Sequence, residues 1–235
     1  MLVSKSMPAQ NSLLVALPYD DRQHFIEHCE QVELSINDIL CEPGEPIRYV
    51  YFPTDSVISL LARVDDHSSL EVGLVGNEGM LGIPLMLGVE VSSLQFVVQG
   101  SGSAWRMDAT TFRRALQRSP GLKLELNRYL YVLTSQLAQS AACNRFHVVE
   151  ARLARWLLMI RDRVHSDQFH VTHQVLAYVL GVRRVGITKA ASSLQRKKLI
   201  SYSRGNVKIL DGKGLEAASC RCYQTDKDTY ERLLG

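Results

Sequence analysis

Apolar and polar residues alternate with a period of two between about residues 32 and 107, a pattern typical of half-buried β-strands. The alternating runs are short, and Gly, Pro, Asn and Asp residues separate them. We predict strands at Ile39–Glu42, Tyr49–Phe52, Ser56–Leu61, Ser69–Val75, Leu94–Val98 and Ser103–Met107. Many short strands with such turns predict a sandwich or a barrel, and a jelly roll is favoured. Met80–Leu87 is predicted to be an irregular or helical segment packed inside or across this roll.

Helical spacing replaces the alternation on either side of the roll. An amphipathic helix interrupted by Pro18 is predicted over residues 12–30, and a short helix over residues 108–118. Ser119-Pro120 then begins a long helix, because proline is favoured in a first helical turn. Steps of four and three along this helix define a predicted seam, Leu122, Leu126, Tyr129, Leu133, Gln136, Ser140 and Cys143. Such a seam favours contact with a partner helix, hence dimerisation, over the alternative that the helix packs only on its own roll.

The stretch Thr172–Leu194 predicts two short helices joined at Gly181, where a left-handed backbone costs glycine little. Two β-like runs then flank Arg204-Gly205 and predict a hairpin. A helix-turn-helix followed directly by a basic-tipped hairpin is a winged helix. The neighbouring elements are a hinge at Asn144–His147, a helix at Val148–Val164 and a final short helix at Leu215–Tyr223.

The second helix of this pair has an apolar back and a basic, hydroxyl-bearing front. That face suits the major groove of DNA, where Arg and Lys read guanine edges. The candidate DNA contacts are Thr172, His173, Gln174, Arg183, Arg184, Val185, Gly186, Thr188, Lys189 and Arg204. Arg184 is assigned to a base edge and Arg204, on the hairpin, to a phosphate. The alternative for this stretch alone is an ordinary helical hairpin with a solvated basic face.

Charge divides the chain between the same two parts. The formal net charge of the 235 residues is +3, but residues 144–235 hold 17 Lys and Arg against 8 Asp and Glu, and residues 1–143 hold a net −6. A basic C-terminal part beside an acidic N-terminal part is typical of a nucleic-acid-binding domain attached to another domain. The five cysteines are odd in number and scattered, which favours a reduced, cytoplasmic protein. No stretch predicts a signal peptide or a membrane span.

In the order of these elements the sequence resembles the Crp/Fnr family of transcription regulators over nearly the whole chain. The matching residues are Pro43-Gly44-Glu45, Tyr49–Pro53, Gly76-Asn77-Glu78-Gly79, and Val175–Gly181 with Arg183-Arg184. The resemblance implies an α+β fold with three parts. These are a cyclic-nucleotide-binding-domain-like jelly roll at residues 1–119, a dimerisation helix and hinge at residues 120–146, and a winged helix-turn-helix at residues 147–235. It also implies a homodimer that binds a palindromic promoter site and activates or represses transcription.

Positions that bind the effector in cyclic-nucleotide-binding members depart from the family pattern here. Those members carry a glutamate for the ribose and an arginine for the phosphate, where this sequence holds Ile83, after Gly82, and Ser92, before Ser93. Nothing cationic remains between Gly82 and Ser93 to neutralise a phosphate. Residues 1–28 also lack the cysteines with which the oxygen-sensing branch binds an iron–sulfur cluster. We therefore expect no cofactor. We also expect that any effector is not cyclic AMP bound through the contacts usual in the family. In the recognition helix, Val185 stands where cyclic-AMP-type members have glutamate.

Two further patterns concern metals. His24-Phe25-Ile26-Glu27-His28 matches the H-x-x-E-H zinc-peptidase pattern, but a solvated polar face is favoured because nothing indicates a third ligand or a cleft. Cys220-Arg221-Cys222 could be a redox pair or half a metal site. A structural role is favoured because no other Cys/His pair lies at ligand spacing nearby in the sequence. We therefore predict no metal site and no catalytic residues.

Two other classes of function compete with DNA binding: a cupin-like jelly-roll enzyme and an interaction protein that does not bind DNA. Cupin metal sites need clustered histidines, and residues 32–107 contain a single one, His67, in a predicted turn. A scaffold gives no reason for basic charge confined to one part of the chain. We therefore expect a non-enzymatic regulator without membrane contact. Its expected partners are double-stranded DNA, a second copy of the chain, RNA polymerase and an unidentified small-molecule effector.

Overall fold

Antiparallel strands form two sheets in the N-terminal half, as the period of two predicted. The computed structural model describes residues 10–65 and 68–235, so His67 lies outside the described residues. The strands are β1 Glu30–Leu34, β2 Ile39–Cys41, β3 Tyr49–Pro53, β4 Val57–Asp65, β5 Ser68–Val75, β6 Gln95–Gly100 and β7 Gly102–Asp108. One sheet has the order β1-β7-β3 and the other β2-β6-β4-β5. All six predicted strands are present, whereas β1 was missed because Leu34 alone among its residues is buried.

Large apolar side chains from both sheets share one core. Phe52 of β3, Ile58 of β4 and Val98 of β6 are each 0% exposed. The segment expected inside or across the roll forms a short 3-10 helix, Ile83–Leu87, in which Leu85 belongs to the same core. Burying a side chain of this size contributes about 1.5–3 kcal/mol. The roll therefore fills its interior with its own side chains.

Helices flank the roll and make up most of the C-terminal half. They are α1 Ser12–Val15, α2 Tyr19–Ile26, α3 Ala109–Arg118, α4 Pro120–Phe146, α5 Val149–Val164, α6 His173–Val179, α7 Arg184–Arg196, α8 Gly212–Ala218 and α9 Cys222–Leu234. Three short strands lie among them, β8 Gln168–His170, β9 Ile200–Ser203 and β10 Asn206–Ile209. The Asp108 carboxylate caps α3, and the Ser119 hydroxyl caps α4 by accepting from the backbone N–H of Leu122. Such caps satisfy donors that have no partner within the helix.

The predicted seam of α4 faces the chain's own roll. Its first four apolar residues, Leu122, Leu126, Tyr129 and Leu133, are at most 8% exposed and belong to the core of the roll. Gln136 and Ser140 continue the same side of the helix at intermediate burial. The assignment of these four apolar residues to a partner helix was wrong, because the roll covers them. A spacing of four and three marks a buried stripe without identifying what buries it.

The C-terminal part packs directly on the roll. Val57 of β4 and Leu74 of β5 share a core with Leu157 of α5 and with Leu180, which follows α6. The predicted arrangement of helices differs in two places. Only two residues, 147 and 148, separate α4 from α5, fewer than the predicted hinge. The predicted last helix is two helices, α8 and α9, and α9 packs along α4. Within the ranges described, every helix is too short or too polar to cross a bilayer.

Candidate nucleic-acid interface

The helix-turn-helix is fixed by local hydrogen bonds and by one close contact with the roll. The Thr172 hydroxyl caps α6 by accepting from the backbone N–H of Val175 at 3.2 Å. The turn that follows contains Gly181, with φ +60°, and a Cβ atom there would lie 2.7 Å from Cδ1 of Leu70 on β5. A glycine is therefore required both by the backbone conformation and by the approach of the β4–β5 hairpin.

The second helix of the pair, α7, separates an apolar side from an exposed polar side. Ile187 and Leu194 are each 0% exposed and pack in the core of the winged helix. Eight of the ten predicted DNA contacts are exposed, namely Thr172, Gln174, Arg183, Arg184, Val185, Thr188, Lys189 and Arg204. Gly186 is partly buried, yet a Cβ atom there would meet nothing within 4 Å. Since packing within the protein does not require this glycine, it leaves room for close approach of the helix backbone to a ligand.

His173 is a predicted DNA contact whose side chain already contacts other residues of the protein. Its Nδ1 lies 3.2 Å from the Thr188 hydroxyl, and its ring stacks on Tyr202 of the hairpin with a centroid separation of 4.5 Å. Burial, and secondarily the charge of Arg184, lower the pKa of His173. This shift favours the neutral ring, which packs between Thr188 and the hairpin.

The hairpin predicted beside the helix-turn-helix is formed by β9 and β10, and β8 adds a third strand that the sequence did not predict, in the order β8-β10-β9. Arg204 and Gly205 at its tip both have positive φ, +50° and +85°. A Cβ atom at Gly205 would lie 2.4 Å from His170 of β8, so only glycine fits the second position. This packing holds the tip, and the exposed Arg204 upon it, beside α7.

The residues predicted to line an effector pocket offer little free polar surface. A Cβ atom at Gly82 would lie 2.6 Å from Cγ1 of Val50, and Ile83 is 6% exposed in the core of the roll. The Ser92 hydroxyl donates to the Leu94 carbonyl at 2.7 Å and accepts from the Leu94 N–H at 3.1 Å. Ser93 is exposed. The hydroxyl at position 92 is therefore already engaged within its own turn.

The side of α4 turned away from the roll carries a second row of residues at heptad spacing. Leu124 is 52% exposed and Tyr131 is 61% exposed, and exposed Ala138 follows at the same interval. Thr134 follows Tyr131 by three residues, Ala141 follows Ala138 by three, and both are exposed. A stripe of this kind is what one helix of a two-stranded coiled coil presents to its partner. This stripe is a weaker sequence pattern than the predicted seam, because its residues are smaller and less apolar.

Cysteines that are distant in sequence meet at the end of α4. Cys220 and Cys222 lie beside Cys143 and His147, with the Sγ atoms of Cys143 and Cys220 3.5 Å apart. The sequence showed no Cys/His pair near Cys220 and Cys222 because the two pairs are brought together only by the packing of α9 on α4. In the H-x-x-E-H pattern, the other one considered for metals, His24, Glu27 and His28 are exposed. Helix α2 ends at Ile26, and Nδ1 of His28 bonds to the carbonyl of His24.

Polar contacts between the roll and α5 were also missed. The Trp156 indole N–H donates to the Glu71 carboxylate of β5 at 2.8 Å, and the Ser59 hydroxyl donates to the same carboxylate. Burial raises the pKa of Glu71 to about 7, although these two hydrogen bonds lower it. Arg163 of α5 forms an ion pair with Glu78 at 2.7 Å. These contacts fix the winged helix to the roll, and no sequence motif indicates them.

Comparison with known proteins supports the fold and the DNA-binding domain. Residues 151–218 match the model of the Crp-like helix-turn-helix domain. The chain is similar to the c-di-GMP-responsive global regulator CLP of Xanthomonas campestris, with 18% identity over 82% of this chain and 99% of that one and a TM-score of 0.67. It is also similar to a CRP/FNR-family transcriptional regulator of Thermus thermophilus, with 21% identity over 81% and 98% and a TM-score of 0.67.

A third similar structure is FixK2 of Bradyrhizobium japonicum, with 11% identity over 82% of this chain and 98% of that one and a TM-score of 0.66. Comparison with the curated proteins finds no significant match. At these identities the solved structures establish a shared fold, and the domain match adds the type of helix-turn-helix. The resemblance to the Crp/Fnr family is thereby confirmed: this chain carries a Crp-like helix-turn-helix domain at residues 151–218 on the α+β fold of Crp/Fnr transcription regulators.

Proposed function

We propose that the protein regulates transcription as a homodimer that binds a two-fold symmetric DNA site, with α7 of each subunit in the major groove. The observation that carries this proposal is the exposed basic front of α7, whose apolar back is buried and whose flank is covered by the hairpin with Arg204 at its tip. Helix-turn-helix dimers of this geometry read half-sites whose centres are about 34 Å apart, one helical turn of DNA.

The dimer contact is assigned to the outer stripe of α4, defined by Leu124, Tyr131 and Ala138 with Thr134 and Ala141. A second copy of the chain is the occupant that the heptad spacing fits, because two such stripes are self-complementary across a two-fold axis. Small residues in the second half of the stripe allow close approach of two helices. Contact with a second copy would also remove the exposed large side chains of Leu124 and Tyr131 from water, which stabilises a dimer.

Sequence-specific readout is tested by Arg184→Ala, with Arg196→Ala as a matched control at the other end of α7. Arg184→Ala is expected to cost about 1–3 kcal/mol on the selected site and little on random DNA, because the side chain reads a base edge. Arg204→Ala is expected to weaken binding to both DNAs and to reduce the salt slope by about one, because it contacts a phosphate. Affinities are measured by fluorescence anisotropy on a site selected from a random pool. Equal losses on both DNAs for Arg184→Ala would contradict its assignment.

The homodimer is tested by sedimentation of Tyr131→Glu, with Val64→Glu as the control because Val64 of β4 is also a large exposed apolar residue, at 75%. A glutamate on the outer stripe is expected to give a monomer, since two buried like charges would face each other. The Val64 variant is expected to remain a dimer. A wild-type monomer, or footprinting of a single asymmetric half-site, would contradict the proposal.

Cyclic AMP and cyclic GMP are proposed not to be the signals. Met80, Leu81, Ile83 and Leu85 pack their side chains in the core of the roll, and the hydroxyl of Ser92 is engaged by Leu94. Sheltering a cyclic phosphate without a cation is costly. Titration calorimetry with either nucleotide is expected to give no binding in the micromolar range. A micromolar dissociation constant would mean that a cation from elsewhere, such as Arg128 of α4, contacts the phosphate.

A further inference from the structure

Four metal-ligating side chains converge where the end of α4 meets the turn between α8 and α9. They are Cys143, His147, Cys220 and Cys222, and their ligand atoms all lie within 4.8 Å of one another. The Sγ atoms of Cys143 and Cys220 are 3.5 Å apart, and the Sγ of Cys222 is 3.5 Å from Nδ1 of His147. The three cysteines are at most 7% exposed. Three buried thiols and an imidazole thus surround a space of the size of one ion.

We propose that these four side chains bind one zinc ion, which fastens the end of α4 to α9. Three cysteines and one histidine are a ligand set of structural zinc sites, in which Zn–S bonds of about 2.3 Å place tetrahedral ligands about 3.8 Å apart. The Sγ–Sγ and Sγ–Nδ1 separations of 3.5 Å are close to this ligand–ligand distance, so small shifts of side chains complete the tetrahedron. Calcium and magnesium prefer oxygen ligands, and iron–sulfur clusters spread their cysteines around several irons.

The backbone holds the ligands in place before any ion binds. Cys143 and His147 stand four residues apart at the end of α4, where the His147 N–H donates to the Cys143 carbonyl at 3.1 Å. Cys222 is the first residue of α9, and the positive end of a helix dipole stabilises a thiolate there. The Cys220 carbonyl accepts from the Tyr223 N–H at 3.2 Å, which fixes the turn between the two cysteines. Little conformational entropy therefore has to be lost on metal binding.

The surroundings supply the hydrogen bond and the charge that a thiolate-rich centre needs. Gln139 donates from Nε2 to the Sγ of Cys222 at 2.9 Å. Zinc with three thiolates carries a net charge of −1, and the buried guanidinium of Arg152 lines the same cavity as Cys143. Within the described ranges Arg152 makes no ion pair, and its Nε has no hydrogen-bond partner. A buried cation of this kind is stabilised by a neighbouring negative centre.

Metal binding would release the three thiol protons to solvent, while His147 binds through a neutral ring nitrogen. The ion bridges the two-residue break between α4 and α5, because Cys143 precedes the break, His147 lies in it, and the other two ligands follow it in α9 and in the turn before α9. It therefore fixes the winged helix relative to the long helix by a bond that chelators and oxidants of thiols can break. This makes the end of α4 a place where metal or redox state acts on the DNA-binding domain.

The test uses the full chain purified under reducing conditions, with metal content measured by mass spectrometry after dialysis against zinc. About one zinc per chain is expected for the wild type and for Cys29→Ser, which removes a cysteine outside the cluster. Cys222→Ser and His147→Gln are expected to lose more than tenfold in zinc affinity, measured against a chromophoric chelator. Zinc is also expected to raise the melting temperature of the wild type and not that of Cys222→Ser.

Cobalt substitution keeps the test independent of how well the variants fold. The wild-type chain with Co2+ is expected to show the intense visible bands of tetrahedral cobalt and a thiolate-to-cobalt charge-transfer band. The absence of micromolar zinc binding by the reduced wild type would overturn the proposal. So would an octahedral cobalt spectrum, iron with acid-labile sulfide in the purified protein, or zinc content unchanged by both ligand substitutions.

Discussion

The interior of the roll and the junction where β5, the end of α4, α5 and α9 meet satisfy their polar groups in opposite ways. In the roll, apolar side chains fill the space around Ile83 and Leu85, and the Ser92 hydroxyl is engaged by its own turn. At the junction, Arg152 and Arg155 are buried, and the Nε atom of each has no hydrogen-bond partner within the described residues. A site that responds to ions or protons needs polar groups with unused capacity, and the junction has them in these two buried guanidinium groups.

The two regions therefore differ in how easily a ligand, an ion or a proton can act on them. In the roll, a polar ligand would have to displace packed apolar side chains, which costs free energy without any polar gain. At the junction, small changes in charge act on contacts that hold the winged helix on the roll. The buried titratable groups Glu71, Arg155 and Asp226 and the cysteine cluster lie at the junction rather than inside the roll.

The largest effect is expected from breaking the buried ion pair of the junction. Arg155 and Asp226 lie 2.6 Å apart and both side chains are 9% exposed. Asp226→Ala is expected to lower the free energy of unfolding by about 3–5 kcal/mol, because it leaves a buried charge uncompensated. The matched control is Glu150→Ala, which breaks the pair with Lys197, also 2.6 Å apart but more exposed. That control is expected to cost about 0–1 kcal/mol in urea denaturation. Similar losses for both would remove the contrast between junction and surface.

The packing of the roll is tested within a single segment, the 3-10 helix. Leu85 is 3% exposed, whereas Leu87, two residues on, is 61% exposed. Leu85→Ala is expected to cost about 2–5 kcal/mol in urea denaturation, because it removes buried methyl groups and leaves a cavity. Leu87→Ala is expected to stay within about 0.5 kcal/mol. A small loss for Leu85→Ala would mean that the interior of the roll is loosely filled and has room for a ligand.

The smallest effect expected is a change in pH dependence at Glu71. Because its pKa is raised to about 7 from 4.5, the folded state holds this proton more tightly than the unfolded state between those values. Stability contributed by the protonated carboxyl is therefore lost as pH rises through this window, by at most about 1.4 kcal/mol per pH unit.

Glu71→Gln is expected to remove this slope. Its amide oxygen still accepts from Trp156 and its NH2 group donates to the Ser59 hydroxyl, while Arg155 and Arg163 continue to face the site. Urea denaturation of both proteins from pH 5 to pH 8 measures the difference between their slopes. Parallel curves for the two proteins would show that Glu71 does not titrate in this range.

Local patterns in the sequence were enough to predict the strands, the long helix and the winged helix. Alternation located six strands because their inward residues face one core, and the turn glycines located the hairpins. Short elements with weak patterns were not predicted. β1 has one buried residue, β8 has three residues in all, and α9, which begins at Cys222, has no side-chain cap.

Long-range arrangement could not be predicted in the same way. The row Leu122, Leu126, Tyr129 and Leu133 was correctly identified as buried, but the sequence does not distinguish burial by the chain's own roll from burial by a second chain. The cysteine cluster is a still clearer case, since Cys143 and Cys220 are 77 residues apart and meet only through the packing of α9 on α4. The DNA contacts stay a prediction: eight of the ten residues are exposed, whereas the engagement of His173 with Tyr202 depends on how the hairpin folds back.

The contact between the last helix and the first domain has a consequence for synthesis of the chain. The Tyr230 hydroxyl of α9 donates to the carbonyl of Glu78 at 3.1 Å, 152 residues away in sequence. Translation at about 5–20 residues per second delivers Tyr230 about 8–30 s after Glu78. Helix α4 is complete at Phe146, so for the last 84 residues of this interval, about 4–17 s, the nascent chain exposes the side of α4 that α9 later covers. This time is long compared with the folding of a helix. A ribosome that stops before Cys222 releases a chain in which that side stays open.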